Sequence, residues 1–451
     1  MGGPVAANTV SVPVPVDRDV PGLIVKFGDY PLHHGGVGAI RSLGRLGVPM
    51  YAIAEDPYTP AASSRYLKKA FVWPTTGAED PGRLVEGLLR IGRRIGRPAV
   101  LLPTDEEAAV LIAEHQDDLA GSFLFPRVDP ALPRRLASKQ GLHELCAEHG
   151  VASPAAAFPR SYEDIVAFAD TARFPVVAKN REAFVRRRRP AVTGTTRIGT
   201  RAGLLGLARD WGEEPGVILQ EYLPREEAED WIVHACFDQD SRPLALFTGV
   251  KVRAWPPHAG MTAHAYVVDN RELAGLAARF IERIGFSGVA DLDLRFDRRD
   301  GQYKLLDFNP RMGAQFRLFE NASGVDVVRA LHLHLTGRPV PEGAQRAGHR
   351  FVVENIDLPA LLAYRRSGYT TPHAPARASG TELAWFAGDD PLPFLTMLAR
   401  SVRPGAKHLR RLWRTGRRDA ATTAAAIATT ERPATPTQRT TTTKQATTTT
   451  T

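Results

Sequence analysis

Two aspartates, an asparagine and an arginine late in the chain carry the strongest chemical signal. Asp293 lies in an apolar-polar run over residues 289–296, Asp307 and Asn309 close a second run that starts at Tyr303, and Arg311 follows two residues on. In the first run Val289, Asp291, Asp293 and Arg295 alternate with Ala290, Leu292, Leu294 and Phe296, so a strand there has one polar and one apolar face. The intervening Asp297-Arg298-Arg299-Asp300-Gly301 ends in Asp-Gly, a hairpin-turn signal. Pairing across that turn brings Asp293 near Asp307 and Asn309. Like charges so placed destabilise a sheet unless a cation sits between them. Hard oxygen donors of this kind suit Mg2+ or Mn2+ bridging phosphates. A second signal is Lys179, delivered by the β-branched stretch Phe174-Pro175-Val176-Val177-Ala178. A lysine turned inward from a buried strand is costly unless an anion such as a triphosphate pairs it.

The elements that must hold these residues begin with a β–loop–α–β order. Residues 23–27 read as a buried strand, 28–36 as a loop, 37–46 as a helix and 49–54 as a second strand. Further strands are expected over 70–73, 99–103 and 123–126, with a helix over 81–95 whose Leu84, Leu88 and Ile91 share one face. This order predicts an α/β unit with a doubly wound parallel sheet. Thr104-Asp105-Glu106-Glu107 reads as a helix cap. Later strands are expected over 217–223, 231–237 and 245–252. In the last region Lys251 and Arg253 alternate with Val250 and Val252 and so are expected on one side of a strand.

The pattern D-x-D … D-G-x-Y-x-L-L-D-x-N-P-R from Asp291 to Arg311 resembles the metal-binding end of the ATP-grasp superfamily, whose members include D-alanine–D-alanine ligase, biotin carboxylase and many carboxylate–amine ligases. The resemblance covers about residues 20–340. It implies an N-terminal doubly wound (pre-ATP-grasp) domain followed by a two-subdomain α+β ATP-grasp fold. By that match Asp293 is the first metal carboxylate, Asp307 the bridging one (usually Glu) and Asn309 the third ligand of Mg2+ or Mn2+. Arg311 matches the arginine that reaches the transferred phosphate or the acyl intermediate. Lys139, after Ser138 at a helix start, matches a phosphate contact, and Lys179 the lysine on the α- and β-phosphates of ATP. Gln220-Glu221-Tyr222-Leu223 is similar to the hinge that holds adenine, with Glu221 and Leu223 supplying backbone groups. Asp230 (or Glu229) stands where the family binds ribose hydroxyls, and Lys251 or Arg253 where a basic residue meets the γ-phosphate. His33 and His34 become candidate substrate-loop residues, as do Gln315 and Arg317. The chain departs from the family at the flap, where Arg186–Arg189 replace a glycine-rich segment. The activity implied is an ATP-dependent carboxylate–amine ligase that forms an amide through an acyl phosphate. Other readings are a carboxylase or phosphotransferase of the same fold, or a nucleotide-binding scaffold without turnover.

The chain has 451 residues, 43% of them hydrophobic, enough for two or three domains. The expected boundaries are a disordered lead-in (1–20), an N-terminal substrate domain (21–132), a lid or central ATP-grasp subdomain (133–222), a C-terminal subdomain with the metal site (223–345), an extension (346–400) and a basic, Thr-rich disordered tail (401–451). Two cysteines, Cys146 and Cys236, fit a reducing cytoplasm and exclude a disulfide framework. No secretion signal or membrane-spanning run is read. The formal charge of +9 is concentrated in residues 401–451, with ten Lys/Arg against two Asp/Glu. It therefore argues against specific nucleic-acid binding by the body of the chain. Residues 407–418, Arg-rich with Leu409, Leu412 and Trp413, read as a segment able to touch anionic surfaces. The expected partners are a small carboxylate and an amine. Superfamily relatives often dimerise, so a homodimer is among the expected assemblies.

Overall fold

In the computed structural model, residues 14–181, 191–192, 194–257, 260–367, 375 and 377–402 are described. The Arg186–Arg189 flap and the tail segment 407–418 lie outside them. The chain divides into a unit Met1–Ala399, which holds every sheet, and a unit Arg400–Thr451.

The first sheet is wholly parallel, in the order β3-β2-β1-β4-β5: β1 (Gly22–Val25), β2 (Met50–Ala54), β3 (Leu67–Val72), β4 (Ala99–Pro103) and β5 (Phe123–Leu124). Helices α1 (His34–Gly44), α2 (Pro81–Ile95), α3 (Glu106–Glu114) and α4 (Gln116–Leu119) connect the strands. Strands β1, β2 and β4 are continuously apolar because both faces are covered, whereas the edge strand β3 carries the exposed Lys68 and Lys69. Ile24, Ala52, Val100 and Leu102 pack with Val37, Ile40 and Leu43 of α1. Leu23, Val25, Ile53 and Leu101 face Leu84, Leu88 and Ile91 of α2. Residues 14–20, expected within a disordered lead-in, are instead placed on this layer. Val14 is buried in the α1 core, and Arg18 Nε donates to Leu46 O at 2.9 Å. Val16 and Val20 also pack against this core, and Val20 O meets His332 Nε2 at 2.9 Å, so several contacts hold the segment.

Two short helices, α5 (Leu132–Ala137) and α6 (Lys139–Glu148), lead to a four-stranded sheet, β6-β9-β7-β8, made of β6 (Ala156–Ala157), β7 (Val176–Asn180), β8 (Thr196–Ile198) and β9 (Val217–Glu221). Its helices are α7 (Tyr162–Thr171) and α8 (Arg201–Ala208), which share a core with Val176, Ala178 and Leu219. The largest sheet runs β14-β13-β10-β11-β12-β15-β16: β10 (Ala228–Phe237), β11 (Pro243–Trp255), β12 (Met261–Val267), β13 (Gly288–Asp297), β14 (Gln302–Asn309), β15 (His349–Val352) and β16 (Gly380–Leu383). Gly301 takes φ +71° in the turn between β13 and β14, a conformation open to glycine without a Cβ penalty. Helix α9 (Arg271–Ile284) covers the apolar face of this sheet through Leu273, Ala277, Phe280 and Ile281. Helix α10 (Val327–Leu335) packs on the other face, in the same core as α1. Helices α11 (Glu354–Ser367) and α12 (Leu392–Val402) follow. Phe351, Ala384, Trp385 and Met397 also enter the α1 core, so β15, the segment after β16 and α12 pack with the large sheet.

Candidate functional site

The hairpin β13–β14 sets Asp293 directly opposite Asp307, as the alternation requires, and Asp291 opposite Asn309. Asn309, two residues beyond Asp307 on β14, is therefore diagonal to Asp293. Its Nδ2 donates to the Asp291 carbonyl (3.2 Å) and carboxylate (3.3 Å). Each of the central aspartates is met by a lysine from a different element. Lys251 of β11 donates Nζ to Asp293 Oδ1 at 2.8 Å, and Lys139 at the start of α6 pairs with Asp307 Oδ1. Lys179, near the end of β7, completes the group, and among the described residues it has no ion-pair partner of its own. Burial pushes its ammonium down; Asp307 opposes that shift, while Lys139 and Arg295 reinforce it.

The two aspartates respond differently. Burial alone would raise both. Lys139 and Lys179 outweigh it at Asp307, which is held at about 2. At Asp293 burial prevails over Lys251, helped by repulsion from Asp291 and Asp307, and the carboxyl moves up. Three lysines around two carboxylates leave a local surplus of positive charge that favours a polyanion.

The donor set suits a divalent cation delivered with phosphates. Among the described residues no group of three or more His, Cys, Asp or Glu is placed to hold a metal. Asp293 and Asp307 form a two-carboxylate face with the Asn309 amide on the same side of β14. Mg2+ typically binds in this way, through one or two carboxylates with the remaining oxygens from substrate phosphates and water. The residues present fit such an ion.

Arg311 leaves β14 into a buried position between two acids. It donates to Asp291 Oδ2 at 3.0 Å and to Glu106 Oε1 at 2.6 Å, while its Nε has no partner among the described residues. Asp291 is 3% exposed and also lies 2.7 Å from His234 Nε2. Its carboxyl is held at about 2: burial opposes that shift, but the charge and hydrogen bonding of His234 and the charge of Arg311 prevail. Sequence reasoning missed His234, Asp291 and Glu106 as site neighbours. A histidine within the apolar run Trp231-Ile232-Val233-His234-Ala235-Cys236-Phe237 is the signal that could have found the first. Glu106 was read only as part of a cap. In fact Asp105 is the cap, accepting from Ala108 N, and it also accepts from Phe27 N and Gly28 N at 2.8 and 2.6 Å.

Other expected contacts fall elsewhere. Asp230 is not in a loop, because β10 begins at Ala228, and it pairs with Arg295 across the ladder at 2.6 Å. Lys251 and Arg253 have different partners. The β11–β12 ladder slips between them, and Arg253 is held by Asp357 of α11 at 2.8 and 2.9 Å and touches His264 Nδ1. Arg317 is bound to Asp326 (2.7 Å) and Glu382 (3.3 Å). On the expected adenine side, Gln220 is buried in β9. Glu221 accepts from Lys304 and from Ala155 N, both at 3.1 Å, and Leu223, also buried, offers its carbonyl to Arg295 Nη1 at 3.4 Å.

No family model matches the chain. The D-aspartate ligase of Enterococcus faecium is 24% identical over 313 residues, covering 65% of this chain and 72% of that protein. Among solved structures, the biotin carboxylase domain of Hydrogenobacter thermophilus 2-oxoglutarate carboxylase, in complex with MgADP, ADP and bicarbonate, superposes with a TM-score of 0.52 at 14% identity over 73% of each chain. The L-amino acid ligase of Bacillus licheniformis gives 0.51 at 14% identity over 71% of this chain and 75% of that one. This chain has the ATP-grasp fold.

Proposed function

We propose that this protein joins a carboxylate to an amine at the expense of ATP, through an acyl phosphate, releasing ADP and phosphate. The observation that carries the reading is the convergence of Lys139, Lys179 and Lys251, from three separate elements, on the facing pair Asp293–Asp307. A structural ion-pair cluster has no need of a third lysine without an ion-pair partner, whereas a triphosphate supplies the missing negative charge. Asp293, Asp307 and Asn309 would hold Mg2+, which when bound offsets phosphate charge during phosphoryl transfer. The three lysines hold the triphosphate, Lys179 at its α- and β-phosphates, while Lys139 and Lys251 exchange their present carboxylate partners for phosphate oxygens. Arg311, with Nε unpartnered, faces the acyl substrate and stabilises the negative charge that builds there. Glu106 and Asp291 keep its guanidinium in place from either side. Gln220, Glu221 and Leu223 line the adenine end. The names of the relatives, a D-aspartate ligase and an L-amino acid ligase, make an amino acid the first substrate to try.

The test is product analysis with Mg-ATP, pooled amino acids and small carboxylic acids, with hydroxylamine as a trap. ADP, phosphate and a hydroxamate are expected. AMP with pyrophosphate would overturn the mechanism.

A further inference from the structure

The parallel sheet reverses its winding direction between β1 and β4, and open α/β sheets take ligands in the crevice outside the strand ends at such a point. The crevice here is built from charges that ATP chemistry does not use. Lys26 directly follows β1 and Glu55 directly follows β2, and Nζ meets Oε1 at 2.5 Å with side chains 8% and 11% exposed. Lys26 Nζ also donates to Tyr30 O at 3.0 Å and lies 5.2 Å from the centre of the Tyr30 ring. An ion pair withdrawn from water this far recovers little beyond its desolvation cost, so stability alone is a weak reason to keep it. The pair belongs to the same neighbourhood as Arg311: Tyr30 stands 5.9 Å from His33, and the His33 ring senses both Lys26 and Arg311. Two buried nitrogens here have no partner among the described residues, His34 Nε2 on a residue 5% exposed and Arg311 Nε.

We propose that Lys26 and Glu55 recognise the amino-acid end of the acid substrate, Lys26 taking its α-carboxylate and Glu55 its α-ammonium. The two side chains give up one ion pair with each other for two with the ligand, and a zwitterion leaves the crevice as neutral as before. A carboxylate held by Lys26 is not the one that reacts beside Arg311. The acid therefore carries two carboxylates and is an α-amino dicarboxylic acid. This assignment rests on the ligase reading for the reaction but not for the binding.

Calorimetric titration of the full chain tests it, with D- and L-aspartate and D- and L-glutamate as probes. The tightest of these is then compared with its analogue lacking the ammonium (succinate or glutarate) and its analogue lacking the α-carboxylate (β-alanine or γ-aminobutyrate). Loss of one charge-assisted contact should weaken binding by roughly 10–100-fold in each case. Glu55→Gln should erase the preference over the desamino analogue alone, and Lys26→Met the preference over the decarboxylated one alone, with ADP binding unchanged. Glu55→Asp keeps the charge and shortens the arm, and should lose the ammonium preference with its Tm intact. Equal weakening of all three ligands by both variants would mark the pair as structural and overturn the proposal, as would failure of all four amino acids to bind. Binding with the expected preferences but without hydroxamate would sink the ligase reading and leave this assignment standing.

Discussion

Asp293 and Asp307 face each other across one hairpin, yet neutralising them should move stability in opposite directions. Asp307 is held at about 2 against an ordinary 3.8, so its ionised form is favoured by the fold. At 1.36 kcal/mol per unit, discounted because the side chain is 29% exposed, Asp307→Asn should cost about 1–2 kcal/mol. For a chain of this size that is a fall in Tm of about 1–3 °C. Asp293 is displaced upwards, chiefly by burial and then by its like-charged neighbours, so its ionised form is carried at a cost. Asp293→Asn removes that cost, and Lys251 still sees Asp230 and Asp291. The nucleotide-free variant should match or exceed the wild-type Tm. Both variants should lose ADP release with Mg-ATP and substrate by at least about 100-fold, because both withdraw charge from the phosphate site. The assay is scanning fluorimetry at pH 7 without nucleotide, alongside coupled ADP release. A fall in Tm for Asp293→Asn as large as that for Asp307→Asn would refute this balance of charges, and full turnover by either would refute the site.

Acid should unfold the chain in a window set by Asp291 and Asp307. Both stay ionised in the fold down to about 2, so their contribution is complete above the ordinary carboxylate value and is lost as pH falls from there through about 2. An acid titration followed by circular dichroism should show a shallower transition for Asp291→Asn. Gly313→Ala should be severe, because a Cβ there would stand 2.4 Å from His234 Cε1 and 2.5 Å from Asp291 Oδ2, both buried. A loss of about 2 kcal/mol or more is expected in urea titration, by overpacking. Arg253→Gln should lower Tm by breaking the bidentate contact with Asp357 while leaving KM for ATP unchanged, as steady-state kinetics would show.

What the sequence revealed and what it hid divide along a physical line. Asp293 facing Asp307 was legible because strand alternation and an Asp-Gly turn are local: period 2 fixes which side chains share a face, and the turn fixes their register to within a residue. Asn309, two residues on along the strand, accordingly stands opposite Asp291 and diagonal to Asp293. Asp230 was misplaced, since the start of β10 is set by pairing with Arg295 on β13 and by no signal in residues 226–230 themselves. Lys251 and Arg253 were grouped by the same alternation rule that succeeded at Asp293, and the rule failed because the ladder slips between them. Glu106, Lys26 and Glu55 belong to a third kind. Each is an ordinary charged residue at or just beyond a strand end or in a helix cap, and only the fold brings Glu106 to Arg311, 205 positions away, or Lys26 to Glu55 across two neighbouring strands. A hairpin that sets two aspartates among a few lysines can thus be read from sequence. A crevice assembled from the ends of parallel strands has no local pattern, and its charges show only when the strand order is known.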